Sequence, residues 1–175
     1  MAALEKRRFG KTGREVTVVG LGGEGVLRTY GRHAEARAVI MEALDQGITY
    51  FDSAKVYAGS EDYYGEVWRS NPGLRAPVFQ ASKSASRLHA DAEMDLARTL
   101  QRLGIETLDL WQIHDVRTFP DIRELEGPTG ALSAFIEARE TGVVRHIGVT
   151  GHHDPDVLSH AVENWPVDAV MLPVN

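Results

Sequence analysis

Residues 48 to 61 read Ile48-Thr49-Tyr50-Phe51-Asp52-Ser53-Ala54-Lys55-Val56-Tyr57-Ala58-Gly59-Ser60-Glu61. Ile48, Tyr50 and Phe51 are the β-branched and aromatic types that suit a buried pleated surface, so the stretch opens as a strand. It closes in the turn Ala58-Gly59-Ser60, with Ser60 placed to cap a helix starting near Glu61. Between strand and turn stand Asp52, Lys55 and Tyr57. Ionisable groups gathered where a strand yields to a loop are how α/β proteins build sites.

The flanks repeat the same unit. Upstream, Arg7 to Gly13 reads as an N-terminal hairpin and Val16 to Leu21 as a first core strand. Ala34 to Gln46 is a helix with Ala36, Val39, Ile40, Ala43 and Leu44 on one face, stopped by Gly47. Downstream, Glu61 to Trp68 is a short helix, Asn71-Pro72-Gly73 a turn and Val78 to Ser82 a third strand. Asp91 to Leu103 is a helix, Leu108 to Ile113 a fourth strand and Asp115 to Pro128 a long loop. A helix over Ala131 to Glu140 leads to a fifth strand, His146 to Val149. Asp154-Pro155 opens a helix with a capping residue and an N1 proline. Its inner face is Val157, Leu158, Ala161, Val162 and Trp165, and Ala169 to Val174 is a sixth strand.

Strands alternating with amphipathic helices make parallel β/α units. Strand ends fall at Asp52, Lys83 and His114, each thirty-one residues after the last. That is the period of a (β/α)₈ barrel, which places function at the strand C-termini. The fold expected is therefore α/β of TIM-barrel type, a single domain over 1–175. Here it is an incomplete barrel of about six parallel strands with an N-terminal hairpin, since complete barrels need ~250 residues. The chain is accordingly expected to be part of a longer polypeptide, with open barrel edges that invite self-association.

Composition narrows the function classes. With 175 residues, 43% of them hydrophobic, the chain can bury one core. A net charge of −6 argues against nucleic acid or an anionic membrane as the main partner. Without cysteine, disulfide and thiolate chemistry are excluded. No run approaches the ~18 apolar residues of a membrane span, and Met1 to Lys11 has no secretory h-region. A cytoplasmic protein is expected.

Equivalent positions on adjacent parallel strands lie ~4.8 Å apart, so Asp52, Lys83 and His114 can converge, with Tyr57 just beyond Asp52. Together they form an acid–base set. A phenol titrating near ~10 donates poorly at neutral pH unless a cation stabilises the phenolate. Lys83 can do so, with Asp52 neutralising and orienting it. His114 can hydrogen-bond a substrate carbonyl or share a proton relay. Lys55 is assigned to solvent.

The motifs Tyr50 to Glu61, Ala81-Ser82-Lys83 and Trp111-Gln112-Ile113-His114 resemble the active-site motifs of the aldo-keto reductases. Gly10-Lys11-Thr12-Gly13 and the Arg139-to-Gly148 stretch are also similar to that family. The resemblance implies NADPH-dependent (NADH possible) reduction of a small-molecule aldehyde or ketone. Hydride would come from the nicotinamide and the proton from Tyr57. It implies cofactor contacts at Gly22, Gly23, Asp52, Thr150, Gly151 and Met171. Read from the residues themselves, the Asp115-to-Pro128 loop walls a substrate pocket where Arg117 can attract an acidic substrate, with His152 or His153 at its mouth and Glu24 beside it.

Three departures stand out. The family commonly has Ser-Asn after the fifth strand, where this chain has Thr150-Gly151. A Gln frequent on the sixth strand aligns with Met171. The family's phosphate-binding loops follow strands seven and eight, which have no counterpart in these residues. These departures leave a second function open, a nucleotide-binding or regulatory protein of weak catalytic power. A third, a metal-dependent hydrolase using Gly151-His152-His153-Asp154 or His114-Asp115, is disfavoured because Asp154 is needed as a cap, and no metal site is assigned. Gly20-Leu21-Gly22-Gly23-Glu24-Gly25 fits G-x-G-x-x-G, but no helix follows directly. It reads instead as a glycine turn at the barrel mouth near the cofactor.

Overall fold

The computed structural model describes residues 3–174. An antiparallel pair, β1 (Lys6–Arg8) and β2 (Glu15–Thr17), is followed by a parallel sheet of five strands in sequential order. These are β3 (Tyr50–Asp52), β4 (Phe79–Ser84), β5 (Leu108–Ile113), β6 (Val144–Thr150) and β7 (Ala169–Met171). The helices are α1 (His33–Asp45), α2 (Ser60–Ser70), the single turn α3 (Pro72–Arg75), α4 (His89–Leu103), α5 (Phe119–Glu126), α6 (Ala131–Glu140) and α7 (Pro155–Asn164). Among the described residues, no helix is long and apolar enough to cross a membrane.

Alternation along the strands sorts side chains onto two faces. On β4, Phe79 and Ala81 join Val16 and Leu110 in an inner cluster that Phe9, Tyr50 and Ala169 complete. Phe9 closes its floor, with ring centres 5.3 Å from Tyr50 and 5.6 Å from Phe79. Lys83 is the next residue on that inner face. The outer face packs on the helices: Phe51, Trp111, Ile113, Ile147 and Val149 bury against Ala36, Ile40, Val67, Leu103 and Phe135. Trp111 stacks on Phe135 at 3.6 Å. Each such side chain, fully buried, contributes about 1.5–3 kcal/mol, so the outer layer holds the strand ends in place.

Gly47 (φ 81°) and Gly104 (φ 65°) end their helices in the left-handed region, as their positions after apolar stripes predict. Asp154 caps α7 by accepting from Asp156 N, with Pro155 at N1.

The sequence expectations need five corrections. Val16 to Leu21 is not a core strand: Glu15–Thr17 pairs with the hairpin, Val18 and Val19 are half exposed, and only Leu21 bridges to Phe51. The parallel sheet thus has five strands, with a single bridge where a sixth was expected. Asp115 to Pro128 is not one loop but contains α5, started by a capping box between Thr118 and Asp121. Ser60 is not the cap of α2; Gly59 holds that position, and the Ser60 hydroxyl accepts from Ser53 Oγ at 2.8 Å. Val162, expected inward, is 45% exposed. Lys55 is not a free surface charge, because its ammonium pairs with Asp95 Oδ1 at 2.7 Å.

Candidate active site

All parallel strands end on the same side of the sheet, and the four chemistry-bearing residues meet there. Register puts Asp52 beside Ala81, and Lys83 beside Gln112. The Lys83 ammonium, fully buried, donates to Asp52 Oδ2 and to the Ser53 carbonyl, the latter at 2.7 Å. Asp52 Oδ1 accepts from Gln112 Nε2 at 3.4 Å. Burial pushes the Asp52 carboxyl up, and the Lys83 charge and the Gln112 amide work against that. The pair therefore has few lone pairs or protons left over.

Tyr57 lies on the loop between β3 and α2, half-buried. Lys83 Nζ stands over its ring, 4.7 Å from the centre, and the Arg28 guanidinium is 5.0 Å from the same centre. His114 meets the ring edge-on at 5.6 Å. The phenol does not titrate low, as the sequence reading expected of a Lys83 neighbour. Burial, then Asp52 and Glu24, push it up to about 12. The reason is geometric: Lys83 is committed to Asp52 and Ser53, and the carboxylates of Asp52, Glu24 and Asp115 outweigh the Arg28 charge.

His114 follows β5, its N–H donating to Ser84 O at 2.9 Å. Burial and the Lys83 charge lower its imidazole to about 4, so at neutral pH the ring is uncharged. Its Nδ1 is buried without a partner among the described residues. Arg87 fixes the turn after it, donating to the carbonyls of His114 (3.1 Å) and Asp115 (2.9 Å). Asp115 itself sits at φ 56°, a conformation a non-glycine residue holds only under constraint.

Beside Tyr57 and His114 opens a cavity of about 370 Å³ whose lining includes Glu24, Arg28, Asp115, Arg117 and His152. The three expected pocket residues thus share one cavity. Arg117 is not a free cation to attract an acid, because its guanidinium is held by Asp115 Oδ2 at 2.5 Å. Glu24 is likewise paired with Arg28 at 2.9 Å.

A larger groove, about 790 Å³, runs past Gly20, Leu21, Gly22, Asp52, Gln112 and Met171. It has room for the nicotinamide end of a dinucleotide next to Asp52. Gly22 faces open space, since a Cβ there meets nothing within 4 Å. Gly23 has no such room: a Cβ would stand 2.6 Å from Ser60 Oγ and 3.0 Å from Asp52 O. Met171 lies opposite Thr150 in register. The Thr150 hydroxyl accepts from Asp115 N at 2.8 Å and keeps its own proton to donate. At Gly151 a Cβ would meet Val116 O at 2.7 Å and Leu158 Cδ2 at 2.9 Å, so this packing admits no side chain. Of the expected coenzyme residues, Gly22, Asp52 and Met171 line this groove, whereas Gly23, Thr150 and Gly151 do not, and the Gly151 N–H is already donated to Met171 O at 3.2 Å.

Three residues of the site escaped the sequence reading. Gln112 was legible, since it lies two before His114 and therefore on the same strand face. Arg28 and Arg87 were not, because Arg28 ends a short 3₁₀ helix (Gly25–Arg28) that no apolar pattern marks and Arg87 lies in the loop after β4.

A model of the Aldo/keto reductase family matches residues 18–175. The NADP(+) aldo-keto reductase yakc of Schizosaccharomyces pombe is 30% identical over 90% of this chain and 48% of its own length. L-galactose dehydrogenase of Arabidopsis thaliana is 27% identical, covering 97% and 55%. The chain thus spans about half the length of these curated relatives. Among solved structures, the holo form of aldo-keto reductase AKR11C1 from Bacillus halodurans superposes with a TM-score of 0.82 at 24% identity, over 98% of this chain and 58% of that one. With the Asp52, Lys83, His114 and Tyr57 set gathered at the strand ends and the family match running through all four, the chain belongs to the aldo/keto reductase family.

Proposed function

We propose that this chain carries the acid–base half of an NAD(P)H-dependent oxidoreductase that reduces an aldehyde or ketone. The observation that carries the reading is the buried Lys83, joined to Asp52 and Ser53 O and standing over the Tyr57 ring. NADPH, when bound, supplies the hydride, and the NADP(+) in the name of the yeast relative supports that coenzyme over NADH. Gly22 and Met171 would border its nicotinamide, with Asp52 below.

Tyr57 is the proton donor. Raised to about 12, the phenol stays protonated at neutral pH but is a weaker acid than a free tyrosine, so its proton leaves only toward the strongly basic oxygen that hydride addition to the carbonyl creates. It gives that proton to the substrate oxygen, and the nearby Lys83 charge offsets the phenolate that forms. The uncharged His114 hydrogen-bonds the same oxygen and orients it. The carbonyl compound enters through the cavity at Glu24, Arg117 and His152.

A second reading, a nucleotide-binding protein of weak turnover, is favoured by one observation. Neither Gly151 nor Met171 brings an amide to hold the carboxamide, and Gly151 has no space for one. The readings separate on NADPH oxidation across a panel of aldehydes, comparing the wild type with Lys83→Met. Turnover that collapses in the variant supports the reductase. Coenzyme binding without oxidation supports the second reading.

A further inference from the structure

The loop that carries Tyr57 is pinned to the strand that carries Lys83 by a charged contact outside the four-residue set. Lys55 lies between Asp52 and Tyr57. Its N–H donates to Lys83 O at 3.1 Å, and its ammonium reaches Asp95 Oδ1 on α4 at 2.7 Å. The other oxygen of Asp95 accepts from Ser84 Oγ at 2.7 Å and Ser86 Oγ at 2.8 Å. Ser84 directly follows Lys83 on β4. One carboxylate, 5% exposed, thus ties the tyrosine loop to the lysine strand.

The loop needs such a tie. Ala58, next to Tyr57, sits at φ 43°, a strained state for a residue with a Cβ. Strain of this kind persists only when both ends are held. The far end is held by Gly59 N donating to Thr29 O at 3.0 Å and by the Ser53–Ser60 hydroxyl pair. The near end is held by Ser53 N to Ala81 O, and by Lys55. Burial works to raise Asp95, yet Lys55 and the two serines bring it below the ordinary carboxylate value, so the contact remains ionic at neutral pH.

We infer that Lys55 and Asp95 are positioning residues, a clamp that sets the Tyr57 ring over Lys83 without touching substrate or cofactor. This rests on Tyr57 and Lys83 being the reacting pair. The clamp predicts that Lys55→Met in the full-length protein lowers kcat for NADPH-dependent aldehyde reduction about tenfold or more, with KM values changed less than about twofold. Lys55→Arg restores most of it, Asp95→Asn copies Lys55→Met, and the double variant is no worse than either single one. A loss that vanishes on cooling to where the variant is fully folded, or equal failure of Lys55→Arg, overturns the clamp.

A second readout needs no turnover. In protein with labelled tyrosine rings, the Tyr57 resonance is the one missing from Tyr57→Phe. Lys55→Met should move it while those of Tyr30, Tyr50 and Tyr64 stay. An unmoved Tyr57 signal overturns the clamp whatever the activity. A moved signal alongside a fully active Tyr57→Phe sustains the clamp and overturns the catalytic reading instead.

Discussion

The Lys83 ammonium stands over the face of the Tyr57 ring, 4.7 Å from its centre, while its hydrogen bonds go to Asp52 and the Ser53 carbonyl. The phenol therefore gains little from that cation before reaction, and burial with the carboxylates of Asp52, Glu24 and Asp115 holds it at about 12. A raised pKa keeps the donor form present to higher pH. The rate of carbonyl reduction should thus show no alkaline limb from Tyr57 below about pH 10. A pH profile of kcat checks this; a limb near neutrality that Tyr57→Phe abolishes would contradict it.

His114 makes the opposite statement about stability. Its folded-state value, about 4, lies below the ordinary 6.5. As pH falls through 6.5 the unfolded chain takes up this proton while the folded chain does not. The contribution is present above that pH and is lost progressively down to about pH 4. At 8% exposure the effect is little screened, so it amounts to about 3 kcal/mol at 1.36 kcal/mol per unit. Urea midpoints at several pH values should show the wild type losing that much more than His114→Gln. Parallel losses would show that the imidazole is not desolvated.

Gly151 is kept small by its neighbours. A Cβ would stand 2.7 Å from the Val116 carbonyl, a backbone atom that cannot swing aside as a rotamer does. Gly151→Ala should destabilise the fold by about 1–3 kcal/mol. Gly151→Asn, which installs the residue common in the family, should not tighten coenzyme binding. Denaturant melts and fluorescence titration with NADPH report the two effects, and a stable, tighter-binding Asn variant would show that the Val116 turn is free to move.

The β7 edge is the exposed flank of the sheet. β7 pairs with β6 alone among the described residues, and Val170 and Leu172 are 39% and 46% exposed. Unpaired edges with apolar side chains seek another strand. Expressed as these 175 residues, the chain should self-associate in sedimentation velocity, and Val170→Lys with Leu172→Lys should shift it toward monomer. Monomer in the unmodified chain at all concentrations would refute this.

Periodicity made the barrel-type plan and the meeting of Asp52, Lys83 and His114 legible, because strand ends recur at a fixed spacing and their neighbours alternate faces. It failed where local chemistry outweighed pattern. Val16 to Leu21 reads as a strand, yet the hairpin takes Glu15–Thr17 and Val18 and Val19 face outward. The α5 signals, Thr118 with Asp121 and Pro120, were present but sit in a segment too polar to look helical. Lys55 looked like a solvated charge because its partner Asp95 lies forty residues away, on α4. The tyrosine's raised titration was also out of reach, since it depends on burial and on which carboxylates face the ring.

The central claim is that Tyr57 delivers the proton to a carbonyl oxygen. Tyr57→Phe in the full-length protein, assayed for NADPH-dependent reduction of an aldehyde, tests it most directly. A loss of about 100-fold or more in kcat, with NADPH affinity unchanged, is the predicted result. Undiminished reduction would contradict it.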